Sequence, residues 1–120
     1  MFINCSNHSV ENWGEKQIKA ASQWGEIVDY PFPMVGPQLS EKEVKEIADQ
    51  VVQDIVSKKP DIVLCQGEFT LTYAIVSQLK KLGIKVVAAC SERKTQELLL
   101  QNGVTKKESY FEFVRFREYI

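Results

Sequence analysis

The sequence predicts an α/β domain on a mostly parallel sheet, and three observations predict it. Short apolar runs alternate with helical patterns from end to end, which calls for parallel strands joined by right-handed crossovers. The run Ile84 to Cys90 is apolar except at Lys85, as expected of a strand covered on both faces. The last segment, Tyr110 to Tyr119, is rich in aromatics and alternates near its end, which suits a strand paired antiparallel at or near a sheet edge. The expected architecture is Rossmann-like or flavodoxin-like, a three-layer parallel sheet with strand order 2-1-3-4. All 120 residues form one domain, enough chain for a real core.

Each element has a local reason. Phe2-Ile3-Asn4-Cys5 is short and apolar, a first strand. Asn12 can cap a helix, with Glu15 at the reciprocal position and Gly25 as its stop; Ile18, Ala21 and Trp24 supply the inner face. Residues 26–30 read as a second strand, and Pro31, Pro33 and Gly36-Pro37 then enforce a loop. Ser40 to Glu43 form a capping box, followed at helical spacing by Val44, Ile47, Ala48, Val51 and Ile55. Pro60 closes that helix. A third strand spans 61–65. Leu71, Ile75, Leu79 and Leu82 stripe the next helix, which Gly83 ends. After the fourth strand a short helix is expected over 94–101, closed by Asn102-Gly103.

Composition excludes several classes. Fifteen basic residues against 16 acidic give no electrostatic drive towards long nucleic acids. No apolar stretch approaches the roughly 20 residues of a membrane span. The start lacks the basic and apolar regions of a signal peptide, and three cysteines in apolar segments fit free thiols, so a cytoplasmic protein is expected. Patterns of the GxGxxG, Walker A, GxSxG and HExxH kinds are absent, against dinucleotide dehydrogenases, nucleoside-triphosphate hydrolases, serine hydrolases and zincins.

In a sheet of this order the binding crevice lies beyond the carboxyl ends of strands one and three. That rule selects Ser6, Asn7, His8 and Ser9 after the first strand, and Tyr30 to Phe32 after the second. It adds Gln66, Gly67, Glu68, Phe69 and Thr70 after the third, and Ser91, Glu92 and Arg93 after the fourth. Gly67 lets backbone approach a ligand, and the helix starting near Thr70 offers free amides to an anion. Equally, Gly67 makes the turn and Thr70 caps. His8 suits proton transfer, since imidazoles titrate near neutrality; it also fits a surface-loop histidine. Glu68 reads as a base, a ribose ligand or an acid near a helix N-terminus. Cys5, Cys65 and Cys90 end neighbouring strands, but without a CxxC pair, so no metal and no cofactor is expected.

Several of these pieces carry a family likeness. Ser6-Asn7-His8, "VLCQGEFTLTYAIV" at 63–76, "AACSERK" at 88–94 and "FEFVRFREY" at 111–119 together resemble the small single-domain CRISPR-associated proteins of the CARF superfamily, candidate ring nucleases of type III systems. The likeness spans nearly the whole chain, least well at 31–39. It implies a homodimer that binds a cyclic oligoadenylate, such as cyclic tetra-adenylate. Cleavage is then metal-independent, by in-line attack of a ribose 2′-hydroxyl on its phosphate, leaving a 2′,3′-cyclic phosphate. His8, Glu68, Gln66 and Ser91 are the catalytic candidates. Ser6, Asn7, Phe32, Gly67, Phe69, Thr70, Glu92, Arg93, Arg115 and Arg117 are the ligand-binding candidates, with Trp13, Phe32, Phe69 and Tyr73 as exposed contact or stacking surfaces. Two other readings stay open: a CARF-like sensor that binds without cutting and acts through a partner protein, and a nucleoside- or nucleotide-modifying α/β enzyme with Glu68 as nucleophile.

Overall fold

A computed structural model describes residues 1–120. It is an α/β fold on one five-stranded mixed sheet. The strands are β1 (Phe2–Ser6), β2 (Ile27–Asp29), β3 (Ile62–Gln66), β4 (Lys85–Leu99) and β5 (Thr105–Glu118), and the helices are α1 (Glu15–Ser22), α2 (Glu41–Ser57) and α3 (Phe69–Lys81). The order is β2-β1-β3-β4-β5, as expected for the first four strands. Three pairings are parallel and β4–β5 is antiparallel.

Strand alternation divides the core. Ile3, Cys5, Val63, Cys65 and Val86 face α2 and α3, meeting Val44, Val51, Ile55, Leu71, Ile75 and Leu79. Phe2, Ile62, Leu64 and Val87 face the other way, against Trp13 and Ala21 with Ile18 and Phe116 beside them. The Ser40 capping box forms as the sequence predicts: its hydroxyl accepts from the Glu43 amide, and the Glu43 carboxylate accepts from the Ser40 amide. No helix is long and apolar enough to cross a membrane.

Several expectations are corrected. Residues 94–101 are not a helix; β4 runs on to Leu99 and turns into β5, which begins at Thr105 rather than Tyr110. Thr95 to Leu100 is rich in Gln, Glu and Leu, residues that favour helix locally. Register with Thr105–Ser109 overrides that preference, because strand stability comes from the cross-strand neighbour. Asn12 does not cap α1: Val10–Asn12 form a 3-10 turn, and the cap is Gly14, which has no side-chain acceptor. Trp24 lies beyond α1 and is part-exposed under the Lys85 ammonium, and Leu82, at the end of α3, is exposed.

β4 and β5 leave the body together. From Ser91 to Glu112 no side chain is buried. The radius of gyration is 17.3 Å, against about 14 Å for a compact domain of this length. The excess is this two-stranded arm.

Candidate functional site

The carboxyl ends of β1 and β3 and the root of the arm enclose a half-open cavity of about 960 Å³. One wall is the segment between β1 and α1, and it is held from below by Asn4. This amide is 1 % exposed. It donates to the His8 carbonyl at 2.8 Å and to Asp29 Oδ1 at 2.8 Å, and accepts from Ser6 Oγ at 2.7 Å. Trp13 Nε1 donates to the same His8 carbonyl at 3.1 Å. A buried polar residue must be satisfied in this way, and here the satisfaction fixes the backbone of the loop. The His8 imidazole itself is exposed on the cavity wall and makes no hydrogen bond to protein.

α1 starts on the same wall. With Gly14 as an uncapped N-cap, the first amides of α1 lack an intrahelical acceptor. Gly14, Glu15, Lys16 and Gln17 all line the cavity. Lys16 is the only lysine or arginine in the lining. Donors, a partial positive dipole end and an ammonium therefore converge where an anionic oxygen can be held.

Aromatic residues also line the cavity: Phe69 at the start of α3, 90 % exposed, and from β5 Phe111, 73 % exposed, and half-exposed Tyr110, whose side chains leave the strand on alternate faces. Glu112 lies beside them, paired with Lys94 at 2.8 Å; that hydrogen bond first, and the charges of Lys94 and Lys16, hold its carboxyl below the usual glutamate range. Leu64, Ala89, Ser91 and Phe113 complete the lining, and the Phe113 ring packs tilted against Phe116, centroids 4.8 Å apart at 58°.

The structure thus brings Ser6, Asn7, His8, Gln66, Gly67, Phe69 and Ser91 to one cavity. It gives some of them structural work. The Gln66 side chain continues the β3 ladder: Oε1 accepts from the Ala89 amide at 2.9 Å and Nε2 donates to the Ala89 carbonyl at 3.4 Å. Glu68 is the N-cap of α3. Its carboxylate accepts from the Leu71 amide at 2.8 Å and from the Thr70 hydroxyl at 2.7 Å. The Thr70 hydroxyl, then the Leu71 amide, hold that carboxyl below the usual glutamate range. Neither Glu68 nor Thr70 lines the cavity.

Other expectations fail on placement. Gly67 lines the cavity, but its φ is not positive, and a Cβ there would lie 2.6 Å from Cδ1, Cε1 and Cζ of Phe32, so the packing of that ring already requires the glycine. Phe32 is buried under that glycine and reaches only a smaller, adjacent cavity of about 240 Å³, shared with Asn4, Ser6, Asn7 and Asp29. It is no exposed stacking surface, and nor is Trp13, also buried. Tyr73 is exposed but lies outside the cavity.

Ser91, Glu92 and Arg93 are strand residues, not a loop, because β4 does not stop at the rim. Arg93 reaches out along the arm to Ser109 Oγ at 3.3 Å, and Arg115 Nε donates to the Phe116 carbonyl at 3.1 Å. Glu92, Arg93, Arg115 and Arg117 are absent from the lining. Sequence reasoning missed Lys16, Gln17, Tyr110 and Phe111. The first pair was hidden by the misplaced helix cap, the second by the helix expected before Tyr110.

The thiols of Cys5 and Cys65 are register partners on β1 and β3, buried on the α2/α3 side. The neighbouring Cys5 thiol, then burial, push the Cys65 thiol up, which leaves it inert as a nucleophile.

Comparison with known families gives one result. The model of the Uncharacterized protein MJ1673 family matches residues 1–117, and the chain belongs to that family. No curated protein matches it.

Proposed function

We propose that this member of the MJ1673 family is a ring nuclease, a Rossmann-like or flavodoxin-like three-layer domain that binds a cyclic oligoadenylate and opens it without a metal. The observation that carries the reading is the mixed lining of one cavity of about 960 Å³. His8, Lys16 and the start of α1 line it together with the exposed aromatic residues Phe69, Tyr110 and Phe111. Adenylate rings present both things such a lining recognises, phosphate oxygens and flat bases. The volume is at the upper end of the roughly 300–1,000 Å³ of small-molecule sites, more than a single nucleotide needs.

In this reading the α1 amides and Lys16 hold the phosphate on which charge develops. The ribose 2′-oxygen forms a new bond to phosphorus, and the bond to the 5′-oxygen breaks. The products are a 2′,3′-cyclic phosphate and a 5′-hydroxyl. One proton leaves the 2′-hydroxyl and one reaches the departing 5′-oxygen. His8, which lines the cavity with no protein partner for its imidazole, moves one of them, and Ser91 in the same lining positions the ring. Gln66 holds Ala89 of β4 in place. Two copies in the cytoplasm share the ring.

A second reading, binding without cleavage, has its own support. Glu68 and Gln66, two of the expected catalytic residues, are engaged by the fold, Glu68 as the cap of α3 and Gln66 against Ala89. The test is incubation with cyclic tri-, tetra- and hexa-adenylate in excess chelator, with products resolved by chromatography. Linear products ending in 2′,3′-cyclic phosphate are expected. Tight binding with no product moves the assignment to a sensor. No binding of any ring removes both readings.

A further inference from the structure

The arm of β4 and β5 has no core of its own. Beyond Ser91 it extends eight residues along β4 to Leu99, about 26 Å at strand rise. Two-stranded ribbons are marginal alone in water. β5 is the last strand of the sheet, so its outer edge carries unpaired amides and carbonyls along the chain from Thr105. An edge this long is a template for another strand. It has no proline, and its one irregularity, Val114, left unpaired where Cys90 meets Arg115 and Ser91 meets Phe113, lies at the root of the arm, so the regular edge runs from Thr105 to Phe113 with Ser109 at its centre.

We propose that the β5 edge pairs antiparallel with β5 of a second copy, across a two-fold axis at Ser109. Register and charge select that axis. Directly opposed residues of an antiparallel pair turn their amides the same way, both inward or both outward. A strand paired with itself must therefore have a residue on the axis, not a peptide bond. Among residues 107–111, an axis at Lys107 or Glu108 sets that residue against its own like charge. An axis at Tyr110 sets Glu108 against Glu112 twice, and one at Phe111 runs into the irregularity at Val114 after two residues on either side. An axis at Ser109 opposes no like charges. It sets Lys106 of each copy against Glu112 of the other, Lys107 against Phe111, and Glu108 against Tyr110.

Lysines on a sheet edge ordinarily deter pairing; here each has an opposite charge or an aromatic ring to meet. Opposed unlike charges and aromatic pairs stabilise a cross-strand contact. The pairing gives the dimer of the proposed function an interface and ties it to the site, since Tyr110 to Phe113 are both edge and cavity wall. It rests on the edge and its charges, not on the identity of the ligand.

The test uses the full chain without ligand. Ser109→Cys places two thiols opposite each other on the axis, within the roughly 4.4–6.8 Å Cα separation a disulfide needs. Mild oxidation should give a covalent dimer, at least tenfold more than Glu108→Cys, Tyr110→Cys or the wild type, whose own cysteines are buried or half-buried. Separately, Lys106→Glu and Glu112→Lys should each shift the dimer–monomer midpoint in light scattering at least tenfold towards monomer. Mixing the two variants should restore a dimer, which a merely misfolded variant cannot do. A wild type that stays monomeric at high concentration, a dimer indifferent to both charge changes, or no preferential cross-link at 109 overturns the proposal. None of those outcomes touches the product assay, so failure of the interface and failure of the ligand reading are read apart.

Discussion

The ring of Phe32 occupies the space where a side chain on residue 67 would begin, 2.6 Å from the position of its Cβ. The loop after β2 is thereby packed onto the turn after β3. Phe32 NH also donates to the Ser6 carbonyl at 3.3 Å, which joins the same loop to the end of β1. Three strand ends are registered by one aromatic ring and one missing side chain.

Gly67→Ala should accordingly destabilise the fold. The ring is buried and cannot swing away freely, so overpacking of about 1–3 kcal/mol is expected. In a Phe32→Leu background the same alanine should cost clearly less. Urea denaturation of the four proteins measures the coupling; equal costs in both backgrounds would show that the contact is not the cause.

Asn4→Ala should lower stability by about 1–3 kcal/mol, since it leaves the His8 carbonyl and Asp29 short of a buried partner. It should also loosen the loop that presents His8. Amide exchange at residues 7–10 reads the loosening directly, and unchanged protection there would separate Asn4 from the site.

Lys16→Ala should weaken ligand binding roughly tenfold to a hundredfold, the range of a charge-assisted hydrogen bond. Arg93→Ala should change it little, because Arg93 points along the arm. Titration calorimetry with cyclic tetra-adenylate compares the two. The reverse ranking would return the phosphate to β4.

His8→Gln should bind the ring nearly as well as wild type and cleave it about 10²-fold slower in single turnover. A wild-type rate would remove the imidazole from proton transfer and leave positioning by the α1 amides as the main source of rate.

Alkaline stability should depend on Tyr30. Burial first, then its hydrogen bond to Asp54 at 2.7 Å, push its hydroxyl up to about 12 from 10.0. A raised folded value means the contribution is whole below pH 10 and is lost as pH rises towards 12. Tyr30→Phe should flatten that part of the stability profile relative to wild type. Parallel profiles from pH 9 to 12 would place the alkaline loss elsewhere.

Features settled by local chemistry are legible in the amino-acid order alone. The Ser40–Glu43 capping box, the apolar spacing of α2 and α3, and the β1 and β3 runs are all readable, because each is settled by residues a few positions apart. The strand order is expected from the fold class rather than from any local pattern; the structure has it for the first four strands, and with it the rim where His8, Gln66 and Ser91 line one cavity. Tertiary structure decided the rest. Thr95 to Leu99 are strand only because Thr105 to Ser109 lie opposite them. Gly67 is defined by Phe32, 35 positions away, and Glu68 by the amide it caps. Lys16 enters the site because Trp13 packs inward and delays the start of α1 to Glu15. Pairing, packing and the disposal of buried polar groups are set by partners distant in the chain, and a linear pattern does not carry their register.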